Sequence, residues 1–167
     1  NGGEVYENSA PGADGIAFVL QNHEYPVLGD FGKAIGYAGI RNSLAVEIDL
    51  FQNPYDPDGN HIAVQSMGAE PNVPEHDIDK QTLGISSVIP EIEHDKTYWV
   101  KIEYIRAEKK LKVYLNDSRS MSAPVLTIED INLSDYLLSE GGEYVFLGVT
   151  AGTGNAWQEH LIFDWQA

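Results

Sequence analysis

An all-β sandwich of two antiparallel sheets is predicted by three observations. Short alternating or apolar runs recur along the chain, clusters of Gly, Pro, Asn and Asp separate them, and almost no stretch carries a helical period. The runs fall at residues 15–21, 43–52, 61–65, 83–89, 97–106, 110–116, 144–150 and 160–166. In the second, Val46, Ile48 and Leu50 alternate with Glu47, Asp49 and Phe51, which gives one apolar face because successive strand side chains point to opposite sides. Residues 98–117 read as a hairpin: Tyr98, Val100, Ile102 and Tyr104 share a face, Leu111, Val113 and Leu115 share another, and Ala107-Glu108-Lys109 makes the turn. A helix is expected only within 128–139, as one short turn with a Ser134 cap and a Gly stop. Residues 70–79, polar with two prolines, read as an exposed loop.

A chain of 167 residues suits a single domain over 1–167, since this size hides roughly 70% of the unfolded surface. The formal net charge of −16, from 10 Lys+Arg against 26 Asp+Glu, opposes approach to phosphate backbones and anionic lipid. Nucleic acid is therefore not an expected partner, whereas divalent cations are. Without cysteine, neither disulfides nor thiolate zinc sites can form. No apolar run approaches the ~20 residues that span a bilayer, so no membrane insertion is expected. Asn1-Gly2-Gly3 does not resemble a signal peptide, and the sequence reads as a mature chain or an excised fragment.

Glu47 and Asp49 pose a physical question, because like charges on neighbouring positions of one strand face repel. Asn53, Asp56, Asp58, Asn60 and His61 follow, in a loop held by Pro54, Pro57 and Gly59. Carboxylate, amide and carbonyl oxygens are what a hard cation such as calcium requires, and one imidazole suits an adjacent transition metal. An EF-hand starting at Asp56 fails, since the sixth position is His61 rather than Gly and the twelfth is Met67 rather than Glu. Laminarinase-like glycoside hydrolases also carry acids on such a strand, but retaining hydrolysis needs a second carboxyl about 5 Å from the first. Phe51 and Gln52 stand where that acid would be, so catalysis is not expected.

The segment VEIDLFQNPYDPDGNHIAV resembles the metal-binding stretch of the L-type, legume-like lectins. Three further motifs look like that family in the same order: GADGIAFVLQN, LGDFGKAIGYAGI and GVTAGTGNAWQEHLIFDWQ. The resemblance is to a bacterial-type member of the concanavalin A-like lectin and glucanase superfamily, and implies a jelly-roll sandwich. It implies that Asp49 and Asp56 bridge two ions. Calcium would also take the Phe51 carbonyl and the Asn53 amide oxygen, and a second ion, manganese or another divalent metal, would add Glu47 and His61.

The same resemblance implies a sugar site. Asp14 would accept hydrogen bonds from two adjacent hydroxyls, after a cis bond between Ala13 and Asp14. Asn53 would donate from its amide, the Phe51 ring would stack on a pyranose, Lys33 would supply a backbone N–H where the family has Gly, and Asn155 would contact the sugar from the loop before Trp157. Family domains normally have strands ahead of the Asp14 segment, where here 13 residues precede it; without them a sheet edge is exposed and self-association is expected. The implied function is calcium-dependent, non-catalytic glycan binding by a secreted or cell-surface protein. A structural sandwich rigidified by calcium is the second reading, and a glycoside hydrolase the third.

Overall fold

The computed structural model describes residues 12–23, 25–93, 95–137, 144–154 and 156–167. β1 (Gly15–Gln21), β2 (Ser43–Asp49), β3 (His61–Gly68), β4 (Thr82–Ser86) and a last strand at Phe146–Gly152, β8, form a five-stranded antiparallel sheet in the order β4-β3-β2-β1-β8. The hairpin of β5 (Trp99–Ile105) and β6 (Lys110–Asn116) extends through β7 (Leu126–Ile128) into a three-stranded sheet.

The alternation in β2 decides how the layers stack. Leu44, Val46, Ile48 and, just beyond the strand, Leu50 join Ile62 and Val64 of β3 in packing against Leu111, Val113 and Leu115 of β6, and this is the main core between the sheets. On the opposite face of β2, Ala45 packs with Ala17, Val19, Ile35, Tyr37 and Ile40, so segment 27–40 covers the side that also carries Glu47 and Asp49. All seven residues of β2 are buried, and its two acids therefore do not sit on a wet face.

The register gathers several chain segments at one end of the large sheet. Gly15 pairs with Asp49 on one side and Gly152 on the other, while Asp49 pairs with His61. The residue before β1, the ends of β2 and β8 and the start of β3 thus share an edge.

Several sequence expectations are corrected. The acidic run ends at Asp49 rather than 52, and β3 continues to Gly68. The stretch expected to turn helical contains one 3-10 turn, Leu133–Asp135, preceded by Asn132, so Ser134 lies inside the turn and does not cap it. The expected Gly stop lies outside the described residues. β7 was too short to show a period. No strand forms over 160–166: its backbone joins no ladder among the described residues, and Leu161, Ile162 and Phe163 are exposed.

Candidate metal and ligand site

Four of the expected metal residues converge in the interior. Glu47, Asp49 and His61 are almost wholly buried and Asp56 nearly so. The loop after β2 is shaped by its own carboxylates: Asp49 Oδ1 accepts the Phe51 N–H at 2.8 Å, and Asp56 Oδ2 accepts the Asn53 N–H at 2.5 Å. Glu47 is held by the Tyr37 hydroxyl, which donates to its Oε2 at 2.6 Å, and by Gln65 Nε2 at 3.5 Å. His61 donates from Nδ1 to the Asp58 carbonyl at 3.1 Å, because a carbonyl can only accept. That contact fixes the tautomer and leaves the Nε2 lone pair without a hydrogen-bond partner inside the cluster.

Sequence reasoning missed His76. The loop expected to be exposed folds back over β2, and the His76 side chain is only 5% exposed. Its Nε2 lies 2.5 Å from Glu47 Oε1, and its Nδ1 lies 2.9 Å from Asp56 Oδ1 but is misaligned for a hydrogen bond. The His61 and His76 rings meet edge to face at 4.9 Å. A histidine within a polar, proline-bearing stretch gives no periodic signal; the need to neutralise Glu47 and Asp49 was the available hint.

Burying several acids together shifts the titration of their neighbours. Burial, followed by the charges of Glu47 and Asp56, pushes the Asp49 carboxyl up to about 9. Burial lowers His61, favouring the neutral, ligating imidazole. It also works against a charged His76, but contacts with Asp56 and Glu47 prevail and raise it to about 9. Ligand atoms of Asp49, Asp56 and His61 lie within 4.8 Å of one another, as do those of Glu47, His61 and His76. The Asp49 carboxyl, held protonated by burial, and the atoms Asp56 Oδ1 and His61 Nε2, which lack hydrogen-bond partners, are the features that fit a divalent metal. Asn53 Nδ2 lies 3.3 Å from the Phe51 carbonyl oxygen, so the amide and carbonyl expected to serve one ion are adjacent, and turning the amide over would present two oxygens together.

Asp14 lies at the same sheet end. The Ala13–Asp14 bond is cis, as expected. Asp14 N–H donates to the Gly152 carbonyl at 2.8 Å, and its own carbonyl accepts from Leu50 at 2.9 Å, which ties it to β8 and to the loop after β2. Its Oδ2 is buried without a hydrogen-bond partner, and burial raises its pKa. A Cβ on Gly154 would come within 3.4 Å of that oxygen and one on Gly32 within 3.9 Å, so two glycine backbones border it. Gly32 has a φ of 64° and opens the 3-10 turn Gly32–Ala34, which contains Lys33; the Lys33 ammonium pairs with Glu75 at 3.4 Å, over the Tyr55 ring. Phe51 is half-buried rather than a core aromatic. Trp157 is exposed, and Asn155 lies outside the described residues.

A two-sheet sandwich whose long sheet ends in a cluster of buried acids and histidines beside a bordered carboxylate defines a concanavalin A-like lectin fold. The legume lectin domain model matches residues 4–167, and the chain belongs to that family. It is 27% identical over 169 residues to Lectin 8 of Medicago truncatula, covering 91% of this chain and 56% of that protein. It is 25% identical over 178 residues to the L-type lectin-domain containing receptor kinase V.5 of Arabidopsis thaliana, covering 96% of this chain and 25% of the kinase. Among solved structures it resembles the winged bean acidic lectin complexed with methyl-α-D-galactose, with a TM-score of 0.55 and 26% identity over 91% of this chain and 57% of that one. The chain thus spans between a quarter and somewhat over half the length of these relatives.

Proposed function

We infer that this chain is a calcium-dependent, non-catalytic carbohydrate-binding domain. The observation that carries the reading is Asp14, a buried carboxylate with an oxygen lacking a partner, bordered by glycine backbone and tied to the loop after β2. Such an oxygen is a strong acceptor for neutral hydroxyl donors, and a sugar offers two on adjacent carbons. Lys33 N–H and the Asn53 amide would complete the polar contacts, Phe51 would supply the apolar one, and Asn155 remains the expected contact from the last loop. Calcium would be held by Asp49, Asn53, Asp56 and the Phe51 carbonyl, and a second ion, manganese or another divalent metal, by Glu47, Asp49, Asp56 and His61. When bound, the ions supply positive charge that neutralises the buried acids; this chain's own atoms accept and donate the sugar's hydrogen bonds.

The winged bean relative, complexed with a galactoside, supports the carbohydrate class. The receptor-kinase relative supports a secreted or cell-surface setting, in glycan recognition or adhesion. We take residues 1–167 as one such domain or a piece of a larger one. Exposed apolar side chains along β8 and the last segment, including Leu147, Ile162 and Phe163, favour self-association. A glycan array probed with the parent and with Asp14→Asn tests the reading. Signals from the parent that Asp14→Asn loses are expected; an array dark for both favours the purely structural sandwich, and one equally bright for both overturns Asp14 as the sugar site.

A further inference from the structure

We propose that His76 is itself a metal ligand, so that the ion beside Glu47 and His61 is held by two imidazoles and drawn from the zinc, cobalt and nickel class. The proposal rests on the metal reading above. Glu47, His61 and His76 each offer one ligand atom, all within 4.8 Å of one another. Ligands placed about 2.0–2.2 Å from one centre satisfy that spread. Two nitrogens in this cluster lack hydrogen-bond partners, His61 Nε2 and His76 Nδ1, and both side chains are at least nine-tenths buried.

The loop holds His76 in place. The Asp77 carbonyl accepts N–H groups from Lys80, Gln81 and Thr82, Gln81 Nε2 donates to the Glu75 carbonyl, and the Tyr55 and His61 rings flank the imidazole. Tyr37 fixes one Glu47 oxygen and leaves the other facing His76. Nitrogen donors shift selectivity: manganese favours carboxylate and water oxygens, whereas a set with two imidazoles suits borderline ions. The competing explanation is that His76 only neutralises Glu47 and Asp56 as an imidazolium and leaves on metal binding.

Zinc and manganese titrations at saturating calcium, on the parent and His76→Gln, separate the two. The substitution is expected to weaken zinc at least ten-fold, while manganese stays within about two-fold. Cadmium-113 NMR of the parent gives a readout independent of how the variant folds: two imidazole rings coupled to one cadmium are expected. Coupling to a single ring, or unchanged zinc affinity in His76→Gln, would overturn the proposal. Glycan binding by the parent is scored separately, and its absence would count against the carbohydrate reading alone.

Discussion

Taking paired carboxylates out of water is unfavourable, and Asp49 records the cost in its affinity for a proton. An unfolded Asp49 ionises near 3.8, whereas the folded one holds its proton to about 9. Raising pH between those values therefore destabilises the metal-free fold, because the folded state binds the extra proton. His76 acts in the same direction: its raised pKa stabilises the fold below the ordinary 6.5, and that stability is lost as pH rises through about 9. A dication replaces those protons. Calcium and zinc together should thus raise the melting temperature more at about pH 9 than at about pH 6. Fluorescence-monitored melts check this, and equal increments at both pH values contradict it. Asp14→Asn separates the neighbouring functions. It removes the charge from hydrogen bonds that contribute about 1.5–3 kcal/mol each, so sugar affinity should fall ten-fold or more while calorimetry finds calcium affinity unchanged. Asp49→Asn should impair both.

Each face of β2 has its own duty, so substitutions should split by face. Leu111 packs on the apolar face, and Leu111→Ala should cost about 2–5 kcal/mol in denaturant unfolding while leaving metal affinity of the folded fraction unchanged. Gly15 sits where β1 and β2 approach closely: a Cβ there would meet the Ile48 carbonyl oxygen at 2.3 Å and Asp49 Cα at 3.2 Å. Gly15→Ala should therefore push the Asp14 end of β1 away from Asp49 and lower stability and calcium affinity together; a change in only one contradicts the shared edge. Elements of this kind were legible where local chemistry set them. The bounds of β1 and β6 agree with the alternating runs, and the acids of β2 announced a buried charge problem. His76 was not legible, because only the return of its loop over β2 makes it a partner of Glu47. The last segment misled for the opposite reason: its pattern suits a strand, but a strand forms only beside another.

Charge and exposed apolar surface compete across the whole molecule. A net charge of −16 keeps copies apart at low ionic strength, while Leu147, Trp157, Leu161, Ile162 and Phe163 offer apolar area to a second copy. Salt screens the first without weakening the second, so sedimentation velocity should show mass above the 18.4 kDa chain as salt is raised. A monomer at every salt and concentration contradicts that expectation. The larger consequence of the shared edge is that sugar and ion report on one another: Asp14 is tied through its carbonyl to Leu50, and the Asp49–Asp56 loop begins there. Retention on immobilised mannose, glucose and galactose, followed at stepped free calcium from chelator to saturation and back, tests this most directly. Retention on at least one resin that rises with calcium, disappears in chelator and returns when calcium is restored is the predicted result; retention indifferent to calcium, or absent at saturation from every sugar tried, would contradict it.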